Sequence, residues 1–213
     1  MSIINRVVYL LLVATSIPFC AENRSDPVFY LNTGTSKALS PNEFKSTHRS
    51  GYALGAAIGK YMSSRFQMQI SVEYYNMPLD NARYISYHDY PQTETFVEGG
   101  DLGSFMALAS IKYEYLQSQN SRARAYWRAS TGYVRNNQKS ITANISSEEG
   151  EVSDISEPSN RESALCAGLG LGLDLLMSKS ANVYFELGCR AGFFAHQTTI
   201  IFPIIFGISI NSY

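Results

Sequence analysis

Residues 164–177 read Ala164-Leu-Cys-Ala-Gly-Leu-Gly-Leu-Gly-Leu-Asp-Leu-Leu-Met177. Leu165, Ala167, Leu169, Leu171, Leu173, Leu175 and Met177 alternate with Ala164, Cys166, Gly168, Gly170, Gly172 and Asp174. A period of two puts successive side chains on opposite faces of a strand, whereas a helix needs apolar residues three and four apart. One face of this strand is bulky and apolar; the other is nearly bare. The spacing Gly168-Leu-Gly-Leu-Gly172 superficially matches a glycine-rich phosphate loop, but no helix follows to receive an anion.

Two more segments carry the same signature. Phe66, Met68, Ile70, Val72 and Tyr74 oppose Gln67, Gln69, Ser71, Glu73 and Tyr75. Val183, Phe185, Leu187, Cys189, Ala191 and Phe193 oppose Tyr184, Glu186, Gly188, Arg190, Gly192 and Phe194. Further strands are expected over 28–35, 51–60, 105–116, 125–135 and 202–213, which makes eight. The connections between them alternate in length: 36–50, 76–104 and 136–163 are long, 61–65, 117–124 and 178–181 are short, and 195–201 is intermediate. An up-and-down membrane barrel has this pattern, with tight turns at the periplasmic end and long loops outside.

Side-chain volume then decides which face points where. Eight strands enclose an interior just wide enough for side chains to fill. The Leu, Ile, Phe, Val and Met rows would overfill it, and the glycine rows would make a poor solvated surface. With the barrel turned inside out, small residues and a few charges fill the lumen and the bulky rows meet lipid. The expected fold is therefore an all-β, eight-stranded, antiparallel, up-and-down transmembrane β-barrel. The apolar rows of the three clean strands carry no charge, as a face that charges about 2–4 kcal/mol per mid-bilayer Lys or Arg requires. Aromatic residues sort by strand end: Phe66, Tyr113, Tyr115 and Trp127 toward the periplasm, and Tyr52, Tyr74, Phe105, Tyr133 and Phe193 toward the outside. Phe66 and Tyr74 would lie roughly 20 Å apart along the membrane normal, close to the height of the apolar band.

Glu73, Lys112, Glu114, Arg128, Asp174, Glu186 and Arg190 all fall on lumen rows, and their mixed signs suggest an internal network that plugs the barrel. Arg128 is expected opposite Lys112 or Glu114. Asp174 and Glu186 are expected to be neighbours, one of them needing Arg190 or a raised pKa.

The 213 residues carry a formal net charge of −1, so no global field draws the chain to nucleic acid. Residues 1–21 read as an export signal, with Arg6 before the apolar run Val7 to Phe19, leaving 22–213 as the barrel. Ile17-Pro-Phe19 before Cys20 does not fit a lipoprotein signal. Cys166 and Cys189 fall on opposite faces and are expected to be free thiols. No metal-ligand spacing or cofactor motif occurs, and no catalytic residues are expected. His48, His88 and His196 are scattered; His88 beside Asp89 and Ser86 is the kind of neighbourhood that polar loops produce by chance.

Among the loops, the acidic stretch Ser146 to Ser163 is expected to be solvated and mobile. Asn144-Ile-Ser146 matches a glycosylation acceptor by accident in a bacterial context. Tyr84, Tyr87, Tyr90 and Phe96 in the second loop form the best candidate recognition surface.

The stretch Gly51 to Tyr75, a Gly/Ala strand, the tight turn Met62-Ser-Ser-Arg65 and an alternating strand ending Glu73-Tyr-Tyr75, resembles the small bacterial outer-membrane β-barrel families. The likeness is greatest to the opacity-type and rickettsial surface-antigen or adhesin barrels. That resemblance implies an outer-membrane location and a structural or adhesin-like role, with loops 76–104 and 136–163 contacting a host-cell or envelope protein. The alternative is a barrel-embedded enzyme acting on lipid or peptide. In one respect the chain departs from those families: terminal Tyr213 is out of phase with the lipid-facing row Ile204, Phe206, Ile208 and Ile210.

Overall fold

A computed structural model describes residues 26–91, 95–117, 122–146, 152–178 and 180–211. The export signal, residues 1–21, and the terminal Tyr213 lie outside the described residues. Eight strands close a barrel: β1 (Pro27–Ser40), β2 (Gly51–Tyr61), β3 (Phe66–Met77), β5 (Leu102–Gln117), β6 (Ala123–Gln138), β9 (Asn160–Leu176), β10 (Ala181–Phe193) and β11 (Thr198–Asn211). Every pair is antiparallel, and β1 meets β11 with Leu31 opposite Ile208 to close the ring. Closure satisfies every edge, which is what allows a sheet to cross a bilayer.

The bulky rows face out. Leu169 is 67% exposed and Leu171 62%, while Ile70, Phe185's neighbour Leu187, Phe206 and Ile208 also lie on the outer surface. Tyr113 stacks between Phe66 (ring centroids 4.7 Å) and Trp127 (5.8 Å) at the inner end of the barrel. At the outer end Tyr52 packs on Tyr74 at 6.1 Å, and Tyr74 lies opposite Phe105. These are the two aromatic girdles of a membrane barrel. Cys166 is buried in the lumen and Cys189 exposed on the opposite face, both free.

Strands run further outward than the hydrophobic pattern suggested. β1 continues from residue 35 to Ser40 and β9 begins at Asn160, because backbone pairing persists where Lys37 on β1 and Arg161 and Ser163 on β9 replace apolar outward residues. The apolar pattern marks the bilayer; the ladder passes beyond it. β11 likewise begins at Thr198, so the last outer connection shrinks to residues 194–197.

The long loops also differ from expectation. Helix α1 (Asn42–Thr47) follows β1, and α2 (Asn81–Tyr87) follows β3, started by Asp80, whose side chain accepts from the Arg83 amide. Strands β4 (Thr95–Gly99), β7 (Ile141–Ser146) and β8 (Val152–Glu157) form a second sheet, with β7 in the middle. In the described part of Ser146–Ser163, expected to be solvated and mobile, Val152–Glu157 is instead β8, paired with β7, and Asn160–Ser163 opens β9. The acidic composition concealed β8, while the short alternation of Ile141, Ala143 and Ile145 lies just before the acidic stretch, within the segment read as the long outer connection 136–163. Leu79, Tyr84, Ile85, Val97, Ile141 and Ala143 form a small core that holds this cap together.

Candidate functional site

The lumen is built in layers. Toward the periplasmic end Val28, Tyr30, Tyr61, Tyr184 and Ile205 pack together, and the Tyr30 hydroxyl donates to Gln67 at 2.7 Å. Above them lies a closed ring of four charges. Arg128 contacts Glu73 at 2.9 Å and Glu186 at 2.7 Å; Arg190 contacts the same two carboxylates at 3.1 Å each. Tyr75 donates to Glu73, and Tyr126 to Glu186 at 3.2 Å. Arg190 places its remaining donors on the carbonyls of Leu169 (3.2 Å) and Cys189 (3.4 Å). Each carboxylate therefore touches both guanidiniums. A buried charge is tolerated only when paired and hydrogen-bonded in this way.

Lys112 pairs with Asp174 and lies 4.0 Å from the Tyr126 ring centroid. Lys112 and Arg128 are cross-strand neighbours, yet each turns to an acid elsewhere. Asp174 thus takes Lys112, and the Arg190 expected to serve one of the two acids goes to Glu186. Glu114 accepts from Tyr61 at 2.7 Å and lies 3.6 Å from Arg124. The seven lumen charges read from the sequence carry one excess negative charge. Arg124, missed there because it sits at the strand's start, removes it.

The glycines of β9 make room for this ring. A Cβ on Gly168 would lie 2.6 Å from the Arg190 Cδ, one on Gly170 2.6 Å from Glu186 Oε1, and one on Gly172 2.3 Å from the Tyr126 ring. The network side chains lie flat over a strand that has no side chains to obstruct them.

The outer half of the lumen departs from the expected filling of small and polar groups. Tyr75, Met77, Leu102, Met106, Leu108, Val134, Phe194 and Ile201 form an apolar stopper, into which α1 inserts Phe44. The signal was present in the inward row Leu102, Met106 and Leu108, but no strict alternation marked it. Among the described residues, the charged ring and the apolar stopper above it fill the lumen in two successive layers.

Outside, the four recognition candidates divide. Tyr84 is 1% exposed, donates to Glu157 at 2.8 Å and packs in the cap core, with Tyr90 against it. Burial, then the Glu157 contact, holds its phenol above the ordinary range. Tyr87 and Phe96 remain on the surface, Phe96 at 60% exposure. The His88 ring lies against Tyr84 (4.4 Å) and Tyr90 (5.5 Å). An open groove of about 680 Å³ runs between the start of α2 and β4, lined among others by Arg49, Asp80, Phe96, Glu98 and Asp101. His48 ties the first loop to the second: its Nε2 lies 2.9 Å from the Gly100 carbonyl and its Nδ1 3.0 Å from Thr47 Oγ1. Burial lowers its pKa below the usual imidazole value. Among the described residues, no His, Cys, Asp and Glu group has metal-binding geometry.

No family model matches the chain, and no curated protein matches it. Solved structures do. Neisserial surface protein A superposes with a TM-score of 0.60 at 11% identity, over 90% of this chain and 100% of that one.

The fold is that of the small outer-membrane β-barrels.

The attachment invasion locus protein Ail of Yersinia pestis (TM-score 0.48, 8% identity, 88% of this chain and 99% of that one) is also similar to this outer-membrane barrel. So is OprG from Pseudomonas aeruginosa (0.47, 10%, 89% and 98%). At such identities the likeness is one of fold. The apolar outer belt, the paired girdles and the closed ladder place the outer-membrane barrel across a bilayer, with the cap at its outer end.

Proposed function

We propose that this outer-membrane barrel is a plugged scaffold that holds a folded cap outside the cell for contact with a protein partner of the host cell or envelope. The observation that carries the reading is the combination of a filled lumen with a cap that has its own core yet leaves Tyr87 and Phe96 uncovered. The internal charge ring then acts as a structural plug. Phe96 lines the groove, and exposed aromatics such as Phe96 and Tyr87 are the residue types that dominate protein interfaces. The acidic character of β8 and its flanks favours a partner with a basic surface.

The test is adhesion. A non-adherent bacterium displaying the full chain is to be compared with one displaying the Tyr87→Ser, Phe96→Ser double variant, for binding to cultured cells and matrix proteins. Heat-modifiable gel mobility establishes that both are folded. Adhesion above the carrier strain, reduced about tenfold or more in the variant, supports the reading, since two hot-spot aromatics are worth at least that much. No adhesion, or equal adhesion by both, overturns it.

A further inference from the structure

The lipid-facing surface is not uniform around the barrel. On β5, β6, β9 and β10 one cross-strand row consists of Ala109, Thr131, Ala167 and Ala191, each directly opposite the next. The row above it is Ala107, Tyr133, Leu165 and Phe193. Above that, Arg135 lies between Phe105 and Ser163, and one row higher Arg161 lies opposite Asn137, which itself faces Gly103. Both arginines are on the outward face and exposed.

Arg135 and Arg161 are diagonal neighbours on adjacent strands, with Cα atoms about 7–8 Å apart. One anion of phosphate size fits between two guanidiniums at that spacing. The Arg161 Nε is held by Asn137 Oδ1 at 3.0 Å, which fixes its direction. Among the described residues neither guanidinium has a carboxylate within ion-pair distance, although the nearby Lys139 is paired with Asp101 at 2.9 Å. Their height is set by the outer girdle. Arg135 is one outward step beyond Tyr133, so it sits just above the apolar band, where lipid headgroups begin. Ser163, small and directly opposite Arg135, leaves room on the side of Arg161, while Phe105 flanks Arg135 on the other side.

We propose that this face is a binding site for a phosphorylated lipid of the outer leaflet, with the headgroup phosphate held between Arg135 and Arg161. An acyl chain of the same lipid descends past Tyr133 and Leu165 into the shallow trough over Thr131 and Ala167. Guanidinium forks match phosphate oxygens in pairs, which a scattered lysine does not. Lys37, outward at a similar height on β1, stands opposite Phe202 and serves as the lone-cation control.

The experiment uses the full chain folded in non-ionic detergent, with bisphosphorylated lipid A as probe and its dephosphorylated form as comparison, and bound lipid read by native mass spectrometry. The expected result is retention of the phosphorylated form. The Arg135→Gln, Arg161→Gln double variant should weaken it about thirtyfold, a factor of about five for each cation at the headgroup layer. Lys37→Gln should leave binding within about twofold, as a single cation elsewhere on the rim does not touch this phosphate. Heat-modifiable mobility shows that each variant is folded. Equal retention of the dephosphorylated lipid would mean that only acyl chains are held, and would overturn the proposal. So would unchanged affinity in the double variant, or displacement of the lipid by millimolar inorganic phosphate, which would reveal a site for free anions.

Discussion

Replacing Arg190 by Met tests whether the lumen is held by its charge ring. Arg190 is 1% exposed, contacts Glu73 and Glu186, and donates to two backbone carbonyls. Met keeps much of the volume and removes the charge. Glu73 and Glu186 would then share Arg128 alone, leaving one uncompensated carboxylate in the ring. Breaking a buried pair by removing one partner costs about 3–5 kcal/mol, most of it the stranded charge. With a guanidinium m-value of about 4 kcal/mol/M, the unfolding midpoint should fall by about 1 M. The second variant separates charge from packing. Arg190→Met combined with Glu73→Gln restores neutrality, with Arg128 and Glu186 still paired at 2.7 Å. It should recover more than half of the loss, whereas a packing defect would deepen. The assay is reversible unfolding in lipid vesicles followed by intrinsic fluorescence. A single variant within about 0.2 M of wild type, or a double variant less stable than the single one, would refute the charge-ring account.

Three further outcomes follow from particular positions. Leu169→Arg, on the outward row opposite Ala129 and between the two girdle rows Trp127–Leu171 and Tyr133–Leu165, should cost about 2–4 kcal/mol in bilayer unfolding, and a value near zero would mean that this face does not meet lipid. Gly170→Ala brings a methyl to 2.6 Å from Glu186 Oε1, so it should destabilise by about 1–3 kcal/mol in the same assay although alanine is small; no change would show that the ring shifts freely. His48 has a lowered folded pKa, so the folded cap binds fewer protons than the unfolded one; its contribution is complete above about pH 6.5 and is lost as pH falls toward the folded value. Hydrogen exchange in residues 41–50 should therefore quicken between about pH 7 and pH 5 beyond the intrinsic rate change, and His48→Gln should remove that excess.

The barrel was legible because lipid enforces a strict rule. Wherever a strand crosses the apolar band, outward residues must be apolar and inward ones small or paired, and 66–75, 164–177 and 182–194 spell this out. Beyond the band the rule lapses. Lys37 on β1, Asn137 on β6 and Arg161 and Ser163 on β9 break the apolar alternation, so the outermost residues of these strands, 36–40, 136–138 and 160–163, passed for loop. The lumen charges were visible as residues on one face, but not as pairs. Most partners lie two or more strands away, and strand register says nothing about which long side chain reaches which: Lys112 faces Arg128 in the ladder yet bonds to Asp174. Tyr84 misled for a related reason. A tyrosine in a long polar loop reads as exposed until a second sheet, built from segments separated in sequence, covers it.

The inversion of the barrel is most directly tested by its single tryptophan. Trp127 lies on the outward face in the inner aromatic girdle. In vesicles of brominated phospholipid its fluorescence should be strongly quenched, more by bromines near the carbonyl end of the chain than at the bilayer centre, while aqueous acrylamide has little effect. Emission insensitive to brominated lipid, whether quenched by acrylamide or protected from both, would place Trp127 away from acyl chains and contradict the account.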